Sequence, residues 1–412
     1  MPSFTVLFLA AVAASFCLRA WLALRQIHHV RSHRNAPPPA FAADITLAEH
    51  QKAADYTVAK ARTGLVQIAV ETLALLVLTL GGGLQALHDL AATWLDGELA
   101  RGAALLLALS ALLSASELPA ALYRQFHIET RFGFNRQTLA GFFVDLAKQA
   151  ALGLALGAPL ILAVLWLMAA MGEQWWLYVW LTWMGFNLLM LALYPTVIAP
   201  LFNKFVPLDD GALRERIEAL LRQCGFAARG VFVMDGSRRS SHGNAYFTGL
   251  GAAKRIVFFD TLLKQLSPAQ VEAVLAHELG HYRLRHVAKR MLLLAALSLS
   301  LLFVLGLLKT APWFYQGLGV AAQGDAVALA LFMLAAPVFL FPLTPLMSLY
   351  SRRHEFEADA YAARQSDADQ LVAALVKLYR DNATTLTPDP VYSLFYDSHP
   401  KAAERIGRLQ AL

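Results

Sequence analysis

Seven apolar runs, each long enough to cross a hydrocarbon layer, constrain this chain more than any other feature. They lie near residues 4–24, 64–85, 102–122, 149–171, 175–198, 288–308 and 326–349. With 58% hydrophobic and only 16% charged residues, the chain has too little polar surface for a soluble globule. In lipid each backbone N–H and C=O must be satisfied within its own segment, so the runs read as helices. The expected architecture is an α-helical polytopic membrane protein of about seven transmembrane helices. Residues 1–207 would form an N-terminal membrane domain with five of them. Residues 208–412 would form a second unit holding the other two and the polar stretch between.

The loops set an orientation. Basic residues follow the first run (Arg25, Arg31, Arg34, Lys52, Lys60, Arg62), the third (Arg124, Arg131, Arg136, Lys148), the fifth and the seventh. The alternate loops carry few. Each odd-numbered span therefore exits on the basic side, which predicts an outside N-terminus and a cytoplasmic polar domain. The first run is read as a retained anchor: no Lys or Arg precedes it, and Arg19, Arg25, Arg31 and Arg34 come at its end and after it. Cys17 and Cys224 are the only cysteines and make no disulfide framework. No basic stripe of the kind nucleic acid requires is present. Glu71 and Glu117 fall inside apolar runs, where a carboxyl is costly unless it faces protein or water.

Between the fifth and sixth runs the pattern becomes mixed. "GALRERIEALLRQCGF" reads as an amphipathic helix ended by Gly225, and "GVFVMD", "NAYFTG" and "KRIVFFD" as three short strands. "SPAQVEAVLAHELGH" opens a helix with Ser267 as N-cap, Pro268 at the first position and Gln270 closing a capping box.

Four residues apart on that helix, His277 and His281 share a face, and both imidazoles can reach one ion. Glu278 lies beside them, where it can take a proton from water. Such a motif arises by chance in roughly one chain per hundred of this kind, so alone it does not decide the chemistry. A catalytic zinc needs a third protein ligand and an open position. The downstream candidates are His286, His354, Glu355, Glu357, Asp359 and His399. Helical spacing puts His286 off the metal face, as a membrane-surface residue, and Glu357 on a solvated side. In "SRRHEFEADAYAA", Glu355 and Asp359 are four apart, so Glu355 can ligate while Asp359 holds a ligand histidine by its other nitrogen. Spacing leaves His354 open as an alternative; Glu355 is the choice.

"HELGH" with "SRRHEFEADAYA" resembles the integral-membrane zinc metallopeptidases of the CAAX prenyl protease type. "FHIETRFGFNRQT", "PTVIAPLFNKFVPL", "MDGSRRSSHGNAYFTGL", "KRIVFFDTLL" and "YSLFYDSHPKAAERI" resemble further blocks of that family, in the same order, from about residue 120 onward. Shorter heat-shock membrane proteases share the zinc motif but have fewer spans. The resemblance implies a small α+β zinc metallopeptidase domain of gluzincin (HExxH…E) type, and spans that enclose a water-filled chamber, which would account for Glu71 and Glu117. It implies His277, His281 and Glu355 as ligands of one zinc per chain, and Glu278 as general base. It also implies His399 as a stabiliser of the oxyanion, and Asn244, Ala245, Tyr246 and Phe247 as the strand that holds substrate backbone. At His354 the chain departs from the family, which commonly has an aromatic residue there.

The function expected is a membrane-embedded zinc endopeptidase, CAAX prenyl protease-like, acting on peptides or proteins that are lipidated or membrane-associated. The alternatives are a quality-control protease of broad specificity and a non-catalytic transporter or scaffold with a structural metal. The Ala- and Leu-rich composition points to a bacterial inner membrane, with the peptidase domain on its cytoplasmic side.

Overall fold

A computed structural model describes residues 3–209, 211–226, 230–248 and 255–412. Seven of its helical segments are long and apolar enough to cross a membrane. The long helices are α1 (Ser3–Ser32), α2 (Leu47–Leu78), α3 (Glu98–Tyr123), α4 (Leu139–Ala170) and α5 (Trp175–Leu193). After the polar stretch come α8 (His286–Leu308), α9 (Asp325–Leu340) and α10 (Thr344–Gln365). α9 and α10 form one continuous spanning segment through a short 3₁₀ turn at Phe341–Leu343. Leu73, Leu154, Leu181 and Leu292 are more than half exposed, a surface that suits lipid rather than water. Inside the bundle Phe8, Leu105, Leu165, Met168, Tyr315 and Leu331 form a buried core.

Several helices run beyond their apolar segments. α2 begins at Leu47, well before the run that starts near residue 64, because Thr46 and Glu49 form a capping box that starts a polar extension. It stops at Leu78, and Gly83–Trp94 makes a separate helix after a turn in which Gly82 has φ +77°. Pro119, Pro159 and Pro337 all lie inside helices.

The polar stretch folds as foreseen, with one addition. α6 (Gly211–Gln223) ends at Gly225, whose φ is +61°. The strands are β1 (Phe205–Pro207), β2 (Val231–Met234), β3 (Ala245–Thr248) and β4 (Arg255–Phe259), in the order β1-β2-β4-β3. β2 and β4 are parallel; β1 and β3 flank them antiparallel. β1 was not foreseen, since three residues ending in proline carry no strand signal and pairing with β2 makes it. Gly249 and Lys254, placed at strand ends by the sequence, lie outside the described residues.

α7 (Pro268–Arg283) has the capping box read from the sequence, Ser267 with Gln270. It packs against α10 and against α11 (Ala368–Asp381) over a core of Ile217, Phe258, Leu275, Ala276, Ala362 and Ala374. Arg239 ties this unit to the membrane bundle: it donates to both oxygens of Asp145 on α4, at 2.8 and 3.0 Å, and to Asn203.

Candidate metal centre

Gly280 sets the distance between α7 and α10. A Cβ there would stand 3.0 Å from the Ala358 Cα and 3.1 Å from its carbonyl oxygen, so a side chain would push the two helices a few tenths of an ångström apart. The crossing puts Glu355 opposite the histidine pair. His277 Nε2 and His281 Nε2 are 3.2 Å apart, and the Glu355 carboxylate lies 3.5 Å from the first and 3.3 Å from the second. Among the described residues this is one of two groups whose ligand atoms converge closely enough for a metal ion.

The chemistry of the group suits a cation. Glu355 is 5% exposed, and its Oε2 is buried with no hydrogen-bond partner among the described residues, the Arg405 guanidinium standing 3.8 Å away. That is a costly state for a carboxylate oxygen unless a cation sits closer against it. At His277, burial and the Arg405 charge disfavour the imidazolium, but the neighbouring Asp359 and Glu355 carboxylates outweigh them and lift its pKa to about 9. Carboxylates that hold a proton there so firmly would equally hold a metal in its place.

Around this group a second set of contacts fixes orientation. His277 Nδ1 is 2.8 Å from Asp359 Oδ1, which turns Nε2 toward the cluster. Arg405, on α12 (Ala402–Leu409), donates to both Asp359 oxygens at 2.6 and 2.7 Å, and the side chains of His277, Asp359 and Arg405 are buried. Nothing in "KAAERIGRL" marked Arg405; the one available signal was that a buried Asp359 would need a cation. Glu278 is half-buried beside the pair and accepts no hydrogen bond from a described residue. Burial raises its carboxyl above the usual range, partly offset by His277 and His281.

His286 corrects the sequence reading. It is 3% exposed, not a surface residue, and its Nδ1 lies 3.0 Å from His281 Nδ1. Helical spacing would carry His286 to the surface only if α7 continued; instead Arg285 adopts φ +58° and the chain restarts as α8, bringing His286 back against His281. Glu357 is likewise engaged, with Oε2 3.0 Å from His286 Nε2 and Oε1 accepting from Arg353 at 2.9 Å. His354 stacks on His286, with ring centroids 4.0 Å apart and an angle of 8° between planes, rather than joining the cluster.

His399 is largely exposed, with Nε2 3.6 Å from Glu355 Oε2. It opens onto a cavity of about 900 Å³ that also reaches Asn244, Tyr392 and Arg405, and extends between α1 and α2 to Arg19 and Glu71. Arg19 donates to Glu71 at 2.8 Å, so the intramembrane acid is both paired and turned to this space. Glu117 is exposed and does not line it. Ala245–Phe247 belong to β3, an edge strand whose far side has no partner among the described residues, and Asn244 immediately precedes it.

Residues 26–204 match the family profile described as CAAX prenyl protease N-terminal, five membrane helices, and residues 207–412 match peptidase family M48. The chain is similar to a CAAX prenyl protease 1 homolog of Oryza sativa subsp. japonica, 38% identical over 296 residues, covering 72% of this chain and 70% of that protein. CAAX prenyl protease 1 of Saccharomyces cerevisiae is 37% identical over 319 residues, 73% and 70% of the two chains. A homolog from Caenorhabditis elegans is 30% identical and aligns over 98% of each. The crystal structure of S. mikatae Ste24p superposes with a TM-score of 0.92 at 30% identity, covering 99% of both chains.

Proposed function

Because this chain belongs to the CAAX prenyl protease branch of peptidase family M48 and is a membrane zinc metallopeptidase, we propose that His277, His281 and Glu355 hold one zinc per chain and that Glu278 is the general base. The supporting observation is the convergence of the two Nε2 atoms with a buried carboxylate whose Oε2 has no hydrogen-bond partner among the described residues. Bound zinc would supply a Lewis acid that polarises the scissile carbonyl and acidifies water. Glu278, unengaged and with a raised carboxyl pKa, takes the proton from that water and can pass it to the leaving amine. Asp359, clamped by Arg405, keeps His277 in one tautomer. His399 stands at the cavity side of Glu355, where it can donate to the carbonyl oxygen as that oxygen gains charge. The edge of β3, from Asn244 through Phe247, would bind extended substrate by adding a strand to the sheet.

The substrate is a membrane-associated peptide or protein, and the relatives' names direct attention to prenylated C-terminal segments. The cavity of about 900 Å³ beside the site is large enough for a lipid chain together with a short peptide. Residues 1–207 serve as the membrane domain and 208–412 as the peptidase unit, facing the cytoplasm by the distribution of basic loops. Composition supports a bacterial inner membrane, although the relatives named above are eukaryotic.

The test is cleavage of quenched fluorescent peptides, prenylated and unprenylated, by zinc-loaded protein in detergent, with metal content measured on the same samples. One zinc per chain, lost on replacing His277, His281 or Glu355 singly, and faster cleavage of the prenylated peptide are expected. Equal rates on both peptides would move the reading to a quality-control protease of broad specificity. Zinc retained in Glu355→Ala but lost in His354→Ala would overturn the ligand assignment.

A further inference from the structure

The two histidines of the metal cluster are supported in different ways. His277 Nδ1 meets the Asp359 carboxylate directly, at 2.8 Å. Among the described residues His281 Nδ1 meets no carboxylate; it meets His286 Nδ1 at 3.0 Å, and His286 Nε2 lies 3.0 Å from Glu357 Oε2. Arg353 donates to the other Glu357 oxygen at 2.9 Å.

One choice fixes every proton in this chain. A His281 that offers Nε2 to a metal carries its proton on Nδ1 and must donate it. The atom that faces Nδ1 is His286 Nδ1, which must therefore accept, so the His286 proton sits on Nε2 and is donated to Glu357. The opposite tautomer would leave a proton on His281 Nε2, aimed into the cluster. We propose that His286 and Glu357 form a positioning relay that keeps His281 Nε2 turned toward the metal, doing through two residues what Asp359 does alone for His277. The inference rests on the proposed role of His277, His281 and Glu355 as ligands.

His286, His354 and Glu357 also lie close enough together to suggest a second metal ion. Ring geometry argues against it. Imidazole lone pairs lie in the ring plane, and the His286 and His354 planes are parallel within 8° at 4.0 Å, so their lone pairs do not converge. The His277 and His281 rings, by contrast, cross at 80° with centroids 4.9 Å apart. Both His286 nitrogens are moreover already engaged. His354, with Tyr350 against it at 4.3 Å, serves instead as a wall that sets the His286 ring plane. Its Nδ1 is buried without a partner among the described residues, so this residue would report a second ion if one bound.

The relay is tested on the full-length protein in detergent, by zinc affinity from chelator competition and by the visible spectrum of the cobalt-substituted form. His286→Phe keeps a ring for His354 to stack on but offers no acceptor to His281. It should weaken metal binding about 10–100-fold and shift the cobalt spectrum. Glu357→Ala should weaken it in the same direction, and Glu357→Gln, whose amide oxygen can still accept from His286 Nε2, should restore most of the loss. His354→Phe should bind as the parent does. If His277→Ala abolishes binding while His286→Phe and Glu357→Ala leave affinity and spectrum unchanged, the relay is wrong and the peptidase reading stands. If His277→Ala also binds normally, that reading fails and takes the relay with it. A second equivalent of zinc in the parent, absent from His354→Phe, would replace the relay with a second metal site.

Discussion

The metal cluster and the cavity beside it handle charge in opposite ways. His277, Glu355, Asp359 and Arg405 are each no more than 6% exposed and held at fixed distances by one another. Arg19 and Glu71, a similar ion pair at membrane depth, line the cavity and keep 27% and 35% of their side-chain surface exposed. In the first region these four side chains have little surface open to water, so each charge depends on its partner. In the second, water can share the load, so the pair is optional. The proposed chemistry is thus confined to a rigid cluster that one substitution should break, while the space proposed to receive substrate should tolerate change.

Removing one partner of a buried pair leaves the other uncompensated, at a cost of about 3–5 kcal/mol. Arg405→Ala should therefore destabilise the peptidase unit by about that amount and release the metal, as seen by denaturant titration with metal analysis; a cost under about 1 kcal/mol would mean that the cluster is wetter than its burial indicates. His399→Ala removes one donor at the rim and leaves the cluster whole. Turnover should fall roughly 10²–10³-fold with unchanged zinc content, and loss of zinc would place His399 among the ligands instead. Glu71→Gln should change stability by about 0–1 kcal/mol, because the lost partner is replaced by water. A penalty several times larger would show that the cavity between α1 and α2 is dry.

The spans were legible because a long apolar run has few alternatives, and the convergence of His277 with His281 because a capped helix fixes what lies four residues apart. Helix ends were less so. The start of α2 depends on the Thr46–Glu49 capping box, and the fate of His286 on a single left-handed residue, Arg285, which periodicity does not register. Arg405 lies 46 positions from Asp359 and 128 from His277, and no local pattern announces a contact made only by folding.

The account turns on Glu278 as a base beside a metal, and Glu278→Gln tests it most directly. Glutamine keeps the size and hydrogen-bonding reach of the side chain but accepts no proton, so ligation should survive. The decisive measurement is turnover of the fluorescent peptide by the variant, alongside its zinc content and its thermal transition. The expected result is one zinc per chain, an unchanged transition, and a rate lower by at least about 10²–10⁴-fold. A variant that holds its zinc and cleaves as fast as the parent would contradict the mechanism.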